Sequence, residues 1–291
     1  MDDSVTAAWL TKAVVDSAGA ARDGRTRALF TKLIEHLHAF VREVELTPQE
    51  WMSAIEFLTA TGKKCDDFRQ EFILLSDTTG ISMLVDALAS GRASGSTEST
   101  VLGPFFTLDA HDVAAGGTIA KEGSGYPLFV SGHVRDTLGR PIANAPIDVW
   151  ETDGTGTYDV QYADRLGPDC RGRLRTDAQG AFRFRGVLPV SYSIPSDGPV
   201  GAMLSALGRH SMRPAHVHFK IEPDGYVPLT TAIYVKGDPY LEADAVFSVK
   251  PSLVSDYRRH EGAGEAAERG CSVPFYTLER DFVLAPVSVP A

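Results

Sequence analysis

The chain has 291 residues, 43% hydrophobic and 23% charged, a composition typical of globular proteins rather than fibrous or disordered ones. Its 38 acidic and 28 basic residues give a formal charge of -10, which argues against nucleic acid or an anionic membrane surface as the main partner. Cys65, Cys170 and Cys271 form no C-x-x-C pair, and no stretch approaches the roughly 20 apolar residues of a membrane span. With an acidic amino terminus, these features predict a cytoplasmic protein that is not inserted in a membrane.

The first third of the chain has the periodicity of helices. The segment Thr47-Pro48-Gln49-Glu50 predicts a helix start, with Thr47 as the N-cap and Glu50 closing a capping box. Apolar residues recur at helical spacing on both sides of it, at Leu29, Leu33, Leu37, Phe40, Trp51, Ile55 and Leu58, and again at Phe72, Leu75, Ile81, Leu84 and Leu88. The small, polar residues 90–99 indicate a turn or linker. We therefore predict a helical segment, 1–98, followed by a second domain, 99–291.

The second domain has the pattern of short β-strands separated by turns. Apolar residues alternate with polar ones around Ile147 and Val149 and around Phe182 and Phe184. Frequent turn signals separate these runs, and only residues 199–209 favour a short helix. The pattern predicts an α+β protein in which an antiparallel β-sandwich follows the helical segment.

The sharpest local feature is the run Arg213-Pro214-Ala215-His216-Val217-His218-Phe219-Lys220-Ile221. In a strand, the period of two places the histidines on one face and the apolar side chains on the other. Two imidazoles on one side of a rigid strand are well placed to chelate a transition metal. The pair alone leaves zinc, copper, nickel and iron open, and two histidines facing solvent or a polar pocket would show the same pattern.

Tyr158 and Tyr192 lie in unusual settings. Tyr158 follows the turn Asp153-Gly154-Thr155-Gly156-Thr157, and Tyr192 lies in a loop-like segment whose backbone is pinned by prolines. Either tyrosine would also suit an ordinary loop edge in a β protein.

Taken in order, these motifs resemble the intradiol ring-cleaving dioxygenases. The resemblance rests on Gly154-Thr155-Gly156-Thr157-Tyr158, Pro189-Val190-Ser191-Tyr192 and Arg213-Pro214-Ala215-His216-Val217-His218. The segments Thr100–Phe106 and Gly139–Glu151 also match, and the likeness covers essentially the whole chain.

The resemblance implies one iron(III) ion per subunit, held by Tyr158, Tyr192, His216 and His218, with an aromatic diol or triol and O₂ as substrates. It further implies that Tyr192 leaves the metal and takes a substrate proton, while Tyr158 stays bound. Arg213 lies at the active site in the family pattern, where its guanidinium would stabilise anionic character on the substrate. A structural salt bridge is the other interpretation of Arg213.

The resemblance also implies a substrate pocket and points to the branch of the family that acts on hydroxyquinol (benzene-1,2,4-triol). The pocket residues are Leu74, Asp77, Leu102, Gly103, Pro104, Phe105, Ile194, Pro195 and Val246. An Asp77 carboxylate near the cleft can accept a hydrogen bond from a third ring hydroxyl. This chain has Ala232 where catechol-cleaving relatives carry a glutamine, which leaves room for a substituted ring and leaves plain catechol open as an alternative.

In the family, the helical segment forms a homodimer interface that encloses a phospholipid, and the apolar stripes are compatible with that. Packing on the second domain alone would explain the same stripes. Three rival functions stay open: a non-catalytic transthyretin-like binding module, a zinc hydrolase built on the histidine pair, and an extradiol enzyme with a carboxylate-bearing iron(II) site.

Overall fold

The computed structural model describes residues 3–66, 69–90 and 95–287. The chain forms two compact units, Met1–Ala60 and Thr61–Ala291. Residues 91–94 of the predicted linker lie outside the described part of the chain. The predicted boundary between residues 98 and 99 stays a prediction.

Among the described residues, five helices come first: α1 Asp3–Asp16, α2 Gly24–Glu43, α3 Pro48–Lys63, α4 Glu71–Thr78 and α5 Ile81–Ser90. The predicted capping box of α3 is confirmed, because the Thr47 N–H donates to the Glu50 carboxylate at 2.9 Å and the Glu50 N–H donates to the Thr47 hydroxyl at 3.3 Å. The predicted apolar stripes are present on α2 and α3 and are exposed, with Leu33 at 56% and Trp51 at 52%. Within the described ranges, no single helix has the length and apolar composition needed to cross a membrane, although the bent pair Glu71–Thr78 and Ile81–Ala89 meets that test jointly.

The described strands lie in the second unit. They are β1 Pro127–Asp136, β2 Pro146–Trp150, β3 Arg171–Arg175, β4 Ala181–Val187, β5 Tyr192–Ser193, β6 Met212–Arg213, β7 His216–Ile221, β8 Leu229–Val235, β9 Val254–Ser255, β10 Arg258–His260, β11 Phe275–Glu279 and β12 Phe282–Leu284. Helix α6, Pro199–Ala206, occupies the predicted helical stretch, and α7 spans Ala263–Glu268.

Within the part of the chain that the structure describes, the strands form two five-stranded sheets and a two-stranded ribbon. One sheet has the order β10-β11-β1-β12, with β4 also paired to β1, and the other has the order β3-β2-β7-β8-β9. The ribbon pairs β5 with β6. The α+β fold with helices followed by a β-sandwich is therefore confirmed.

The sheets are mixed rather than purely antiparallel, which differs from the prediction. Strand β1 runs parallel to both β11 and β12, and β8 runs parallel to β9. Alternation of apolar residues reports which face of a strand is buried, but it carries no information on the direction of the neighbouring strand. Strand β1 changes partner at Gly132, where an added Cβ would lie 1.7 Å from the Arg280 carbonyl oxygen.

The main core lies between the two sheets. Val217, Phe219 and Ile221 of β7 are fully buried there, as the alternation predicted. Phe219 packs against Phe182 and Phe282 of the facing sheet at ring-centroid distances of 6.3 and 4.8 Å. This packing fixes β7, and therefore fixes the direction in which its other face points.

Candidate active site

Strand β7 carries His216 and His218 on the face opposite the main core. Both side chains are buried, and their Nε2 atoms lie 3.0 Å apart. His216 Nδ1 lies 2.7 Å from the Pro214 carbonyl oxygen, so Nδ1 carries the proton and Nε2 presents a lone pair. Burial, followed by the Arg213 charge for His216, lowers the pKa of both imidazoles well below 6.5. The pair is therefore neutral and available as nitrogen ligands.

The two tyrosines meet beside this pair. Tyr158 and Tyr192 are both buried, their hydroxyl oxygens are 3.5 Å apart, and their rings cross almost perpendicularly with centroids 5.3 Å apart. The Tyr192 ring lies 5.6 Å from the His216 ring. Burial raises the pKa of Tyr158 well above 10, and Tyr192 adds to the effect. The structure thus brings together all four side chains that the sequence singled out.

Arg213 connects the tyrosine and histidine pairs. Strand β6 pairs with β5 so that Arg213 is directly opposite Tyr192. Its Nη1 donates to the Tyr192 hydroxyl at 3.3 Å and lies 3.4 Å from His216 Nε2, while its Nε donates to Asp244 at 3.1 Å. Burial lowers the Arg213 pKa, but the Asp244 charge and the nearby phenols outweigh burial and raise it well above its ordinary value. The buried guanidinium therefore stays charged, with one edge in a salt bridge and the other at the site.

Asp244 and Ser248 hold Arg213 in place, a role that the sequence did not assign to them. Asp244 is buried, and its Oδ2 accepts hydrogen bonds from the Ser248 N–H at 3.0 Å and from the Ser248 hydroxyl at 2.6 Å. Ser248 Oγ in turn accepts from Arg213 Nη2 at 2.5 Å. Burial raises the Asp244 pKa, but Arg213 and Ser248 together lower it below its ordinary value. Asp244 Oδ1 also accepts from the Val246 N–H at 3.3 Å, the contact with the residue two positions on that aspartate makes in a turn.

Trp150 is a further supporting residue, which the sequence placed in a strand and in the matching segment Gly139–Glu151 without a role at the site. It lies opposite His218 in the β2–β7 pairing, and the two rings stack at 4.6 Å with an angle of 5°. Its side chain is 1% exposed, and its indole N–H has no hydrogen-bond partner among the described residues. The indole therefore forms a flat wall against the His218 imidazole.

The predicted pocket residues fall into two sets. Asp77, Leu102, Gly103 and Pro104 line a cavity of about 590 Å³, and an added Cβ on Gly103 would lie 3.8 Å from His218 Nε2. Leu74, Ile194 and Val246 are buried in one cluster with Tyr158 and Tyr192, and Phe105 packs against that cluster. Pro195 follows Ile194 and is half-buried.

Asp77 is the one titratable group among these pocket residues, and it is 4% exposed. Burial raises its pKa above the ordinary value, while a hydrogen bond from Ser82 opposes the rise. Ser82 also bonds Ser76 at 2.8 Å, so α4 and α5 meet through a small polar network at the cavity wall. Over the residues that the structure describes, no group of three or more His, Cys, Asp or Glu could hold a metal ion.

Comparisons with known proteins agree with this geometry. The family model "Dioxygenase" matches residues 102–285, and "Catechol dioxygenase N terminus" matches residues 23–97. An intradiol ring-cleavage dioxygenase, hqdA of Aspergillus niger, is 47% identical over 94% of this chain and 83% of its own. Hydroxyquinol 1,2-dioxygenase of Rhodococcus opacus is 50% identical over 85% of this chain and 83% of its own.

A solved structure shares the whole fold. Hydroxyquinol 1,2-dioxygenase from Pseudomonas putida DLL-E4 superposes with a TM-score of 0.89 at 44% identity, covering 97% of this chain and 99% of that one. The fold and the site thus define a ring-cleaving oxygenase. The chain belongs to the intradiol ring-cleavage dioxygenase family, whose members are enzymes that use non-haem iron.

Proposed function

We propose that the chain cleaves hydroxyquinol with O₂ between its two adjacent hydroxylated carbons, giving 3-hydroxy-cis,cis-muconate, a tautomer of maleylacetate. The observation that supports hydroxyquinol as the substrate is the position of the Asp77 carboxyl group. It is buried in the cavity wall beside Leu102, Gly103 and Pro104. Relatives and a structural neighbour named for hydroxyquinol support the same choice. Substituted catechols are the second candidate, because Ala232 lies opposite His218 in the β7–β8 pairing and fills little space.

The donor set fits iron(III), one ion per chain. Tyr158 and Tyr192 would supply two phenolate oxygens, and His216 and His218 would supply two neutral imidazole nitrogens. Because burial raises the Tyr158 pKa well above 10, that phenol ionises only beside a strong cation. A hard, trivalent ion meets that condition and prefers anionic oxygen.

When bound, iron(III) supplies Lewis acidity and a template that activates the chelated diol towards O₂. The residues of the chain divide the remaining tasks. Tyr192 Oη receives one substrate proton as the diol binds. Arg213 Nη1, 3.3 Å from that oxygen, holds a fixed positive charge where the proton is transferred and where anionic character develops.

Tyr158 is the tyrosine that we propose to remain a ligand. Its ring is stacked under Phe105 with centroids 4.4 Å apart, and the side chain is fully buried. Tyr192 Oη accepts a hydrogen bond from Arg213, and the protonated, neutral phenol can keep this hydrogen bond after it leaves the metal. The unequal surroundings of the two phenols therefore favour unequal roles.

Replacing Asp77 tests the assignment of hydroxyquinol as the substrate. A lost hydrogen bond to a charged group is worth about 1.5–3 kcal/mol, so Asp77→Asn should narrow the preference for hydroxyquinol over catechol by roughly tenfold or more. The measurement is kcat/KM for both compounds. Asp86→Asn is the matched control, because Asp86 lines the same cavity but pairs with Lys250 at 3.0 Å. Comparable kcat/KM for the two compounds in the unaltered protein would contradict the hydroxyquinol assignment.

An anaerobic visible spectrum tests the metal site. Iron(III) bound to phenolate absorbs visible light, so the loaded protein should be reddish and its band should move on addition of hydroxyquinol. Tyr158→Phe and Tyr192→Phe should each weaken the band. Full activity with both tyrosines replaced would exclude the proposed ligand set.

The helical segment supports a homodimer. Leu29, Leu33 and Phe40 of α2 and Trp51 and Ile55 of α3 are each between 42% and 56% exposed, which is unusual for such large apolar side chains. We propose that a second copy covers this surface, enclosing a phospholipid. Light scattering coupled to gel filtration should give twice the chain mass, and lipid extraction should recover phosphorus; a monomer would refute the dimer.

We propose that residues 1–98 form the dimerisation segment, that residues 99–291 form the catalytic domain, and that the protein is cytoplasmic. The three cysteines are free thiols, which suits a reducing cytoplasm.

A further inference from the structure

Arg171 is a fully buried arginine behind the site, and the reaction as proposed does not use it. Its side chain is 1% exposed, and it begins strand β3 opposite Trp150. Its Nε donates to both carboxylate oxygens of Asp159, at 2.9 and 2.8 Å, and its Nη2 donates to the same carboxylate. A buried ion pair is often no more stabilising than well-packed apolar residues of similar volume, so fold stability alone does not require this arrangement.

The other edge of the guanidinium reaches a different segment of the chain. Nη1 donates to the Phe105 carbonyl oxygen at 3.0 Å and to the Thr107 hydroxyl at 2.8 Å. Arg171 therefore joins the segment that carries Phe105 to the turn that begins with Asp159. Lysine has no planar fork of donors and cannot make both sets of bonds.

These two segments hold the two rings that stack in the site. Tyr158 directly precedes Asp159, and its ring lies 4.4 Å from the Phe105 ring with an angle of 23°. One guanidinium is thus bonded to both segments that carry the stack, through the side-chain carboxylate of Asp159 next to Tyr158 and through the backbone carbonyl of Phe105. Asp159 receives a second guanidinium from its outer side, where Arg165 Nη2 donates at 2.8 Å.

We infer that Arg171 is a positioning residue that holds Phe105 against Tyr158, and so sets both a wall of the substrate pocket and the orientation of the tyrosine that stays on the metal. The inference rests on the proposed function. Groups that orient metal ligands typically change metal affinity or activity by about 10–100-fold when they are altered. Arg171 should act in that range without touching metal or substrate.

The test compares Arg171→Lys with Arg165→Lys in the iron-loaded full chain. Arg171→Lys should move the visible tyrosinate band, speed the release of iron to a chelator by roughly tenfold or more, and lower kcat/KM for hydroxyquinol by a similar factor. Arg165→Lys alters the same Asp159 carboxylate, and the other ion pair of Arg165 goes to Asp109 rather than to Phe105 or Thr107, so its band should stay in place. A move of the band is the decisive result, because a merely structural role would lower the melting temperature and leave the band of the folded fraction unchanged.

Thr107→Val provides a milder variant in case Arg171→Lys fails to fold. It removes one acceptor of Nη1 on the Phe105 segment and should move the band in the same direction by a smaller amount. Wild-type band positions and iron-release rates in every folded variant at positions 107 and 171 would overturn the inference. Absence of any visible band in the unaltered, iron-treated protein would instead refute the proposed metal site, so the two failures are distinguishable.

Discussion

Glu151 is a buried acid that should make the stability of the second unit depend on pH. Its side chain is 1% exposed, its Oε1 accepts from the Val187 N–H at 2.9 Å, and its Oε2 has no partner among the described residues. Burial, with the Asp169 charge adding to it, raises the Glu151 pKa from 4.5 to about 8. Between these two values the folded protein keeps Glu151 protonated, whereas the unfolded chain ionises it.

The sign follows from proton binding in the two states. In that pH interval the unfolded chain binds fewer protons than the folded one, so the free energy of unfolding falls as pH rises. At about 1.4 kcal/mol per pH unit, the loss is about 5 kcal/mol between pH 4.5 and pH 8. Above the native pKa the loss is complete and no further change is expected from this group.

Glu151→Gln removes the ionisation while keeping the shape and the acceptor for Val187. At pH 5 both proteins carry a neutral group with an unpaired polar end, so their stabilities should differ by only about 1 kcal/mol. At pH 8 the glutamine variant should be more stable by several kcal/mol, up to about 5. The advantage of the variant should therefore grow steadily across the interval.

The assay is urea denaturation of metal-free protein at pH 5, 6, 7 and 8, followed by fluorescence. Trp9 and Trp51 are replaced by Phe in both proteins, so that the signal comes from Trp150, which directly precedes Glu151. The difference between variant and parent isolates Glu151 from every other titrating group. A stability difference that stays constant from pH 5 to pH 8 would refute the reasoning.

Two further predictions concern the residues that surround the metal ligands. Asp244→Asn leaves the buried Arg213 charge without its partner, so the free energy of unfolding should fall by about 3–5 kcal/mol. Urea denaturation measures this change, and an unchanged midpoint would contradict the pairing of Arg213 with Asp244. Because Trp150 stacks on His218, addition of iron(III) should quench Trp150 fluorescence in the Trp9→Phe, Trp51→Phe background. Fluorescence that does not change when iron is added would contradict His218 as a ligand.

The sequence determined the local features because they depend on near neighbours along the chain. The capping box at Thr47 and Glu50 and the inward face of β7 follow from spacing alone, and both are observed. The order of the tyrosine and histidine motifs was enough to identify the family. The same spacing could not show that β1 has parallel neighbours, because β11 and β12 come from the far end of the chain.

Only the tertiary structure decided which residues support the site. The sequence assigned no supporting role to Asp244, Trp150 or Arg171, because each makes its contact with the site through a segment distant along the chain. Folding brings the Tyr158 and Tyr192 hydroxyls within 3.5 Å of each other although they are 34 residues apart in sequence. The physical reason is that a strand pattern fixes the face on which a side chain lies, whereas its partner across the sheet is fixed by long-range pairing and core packing.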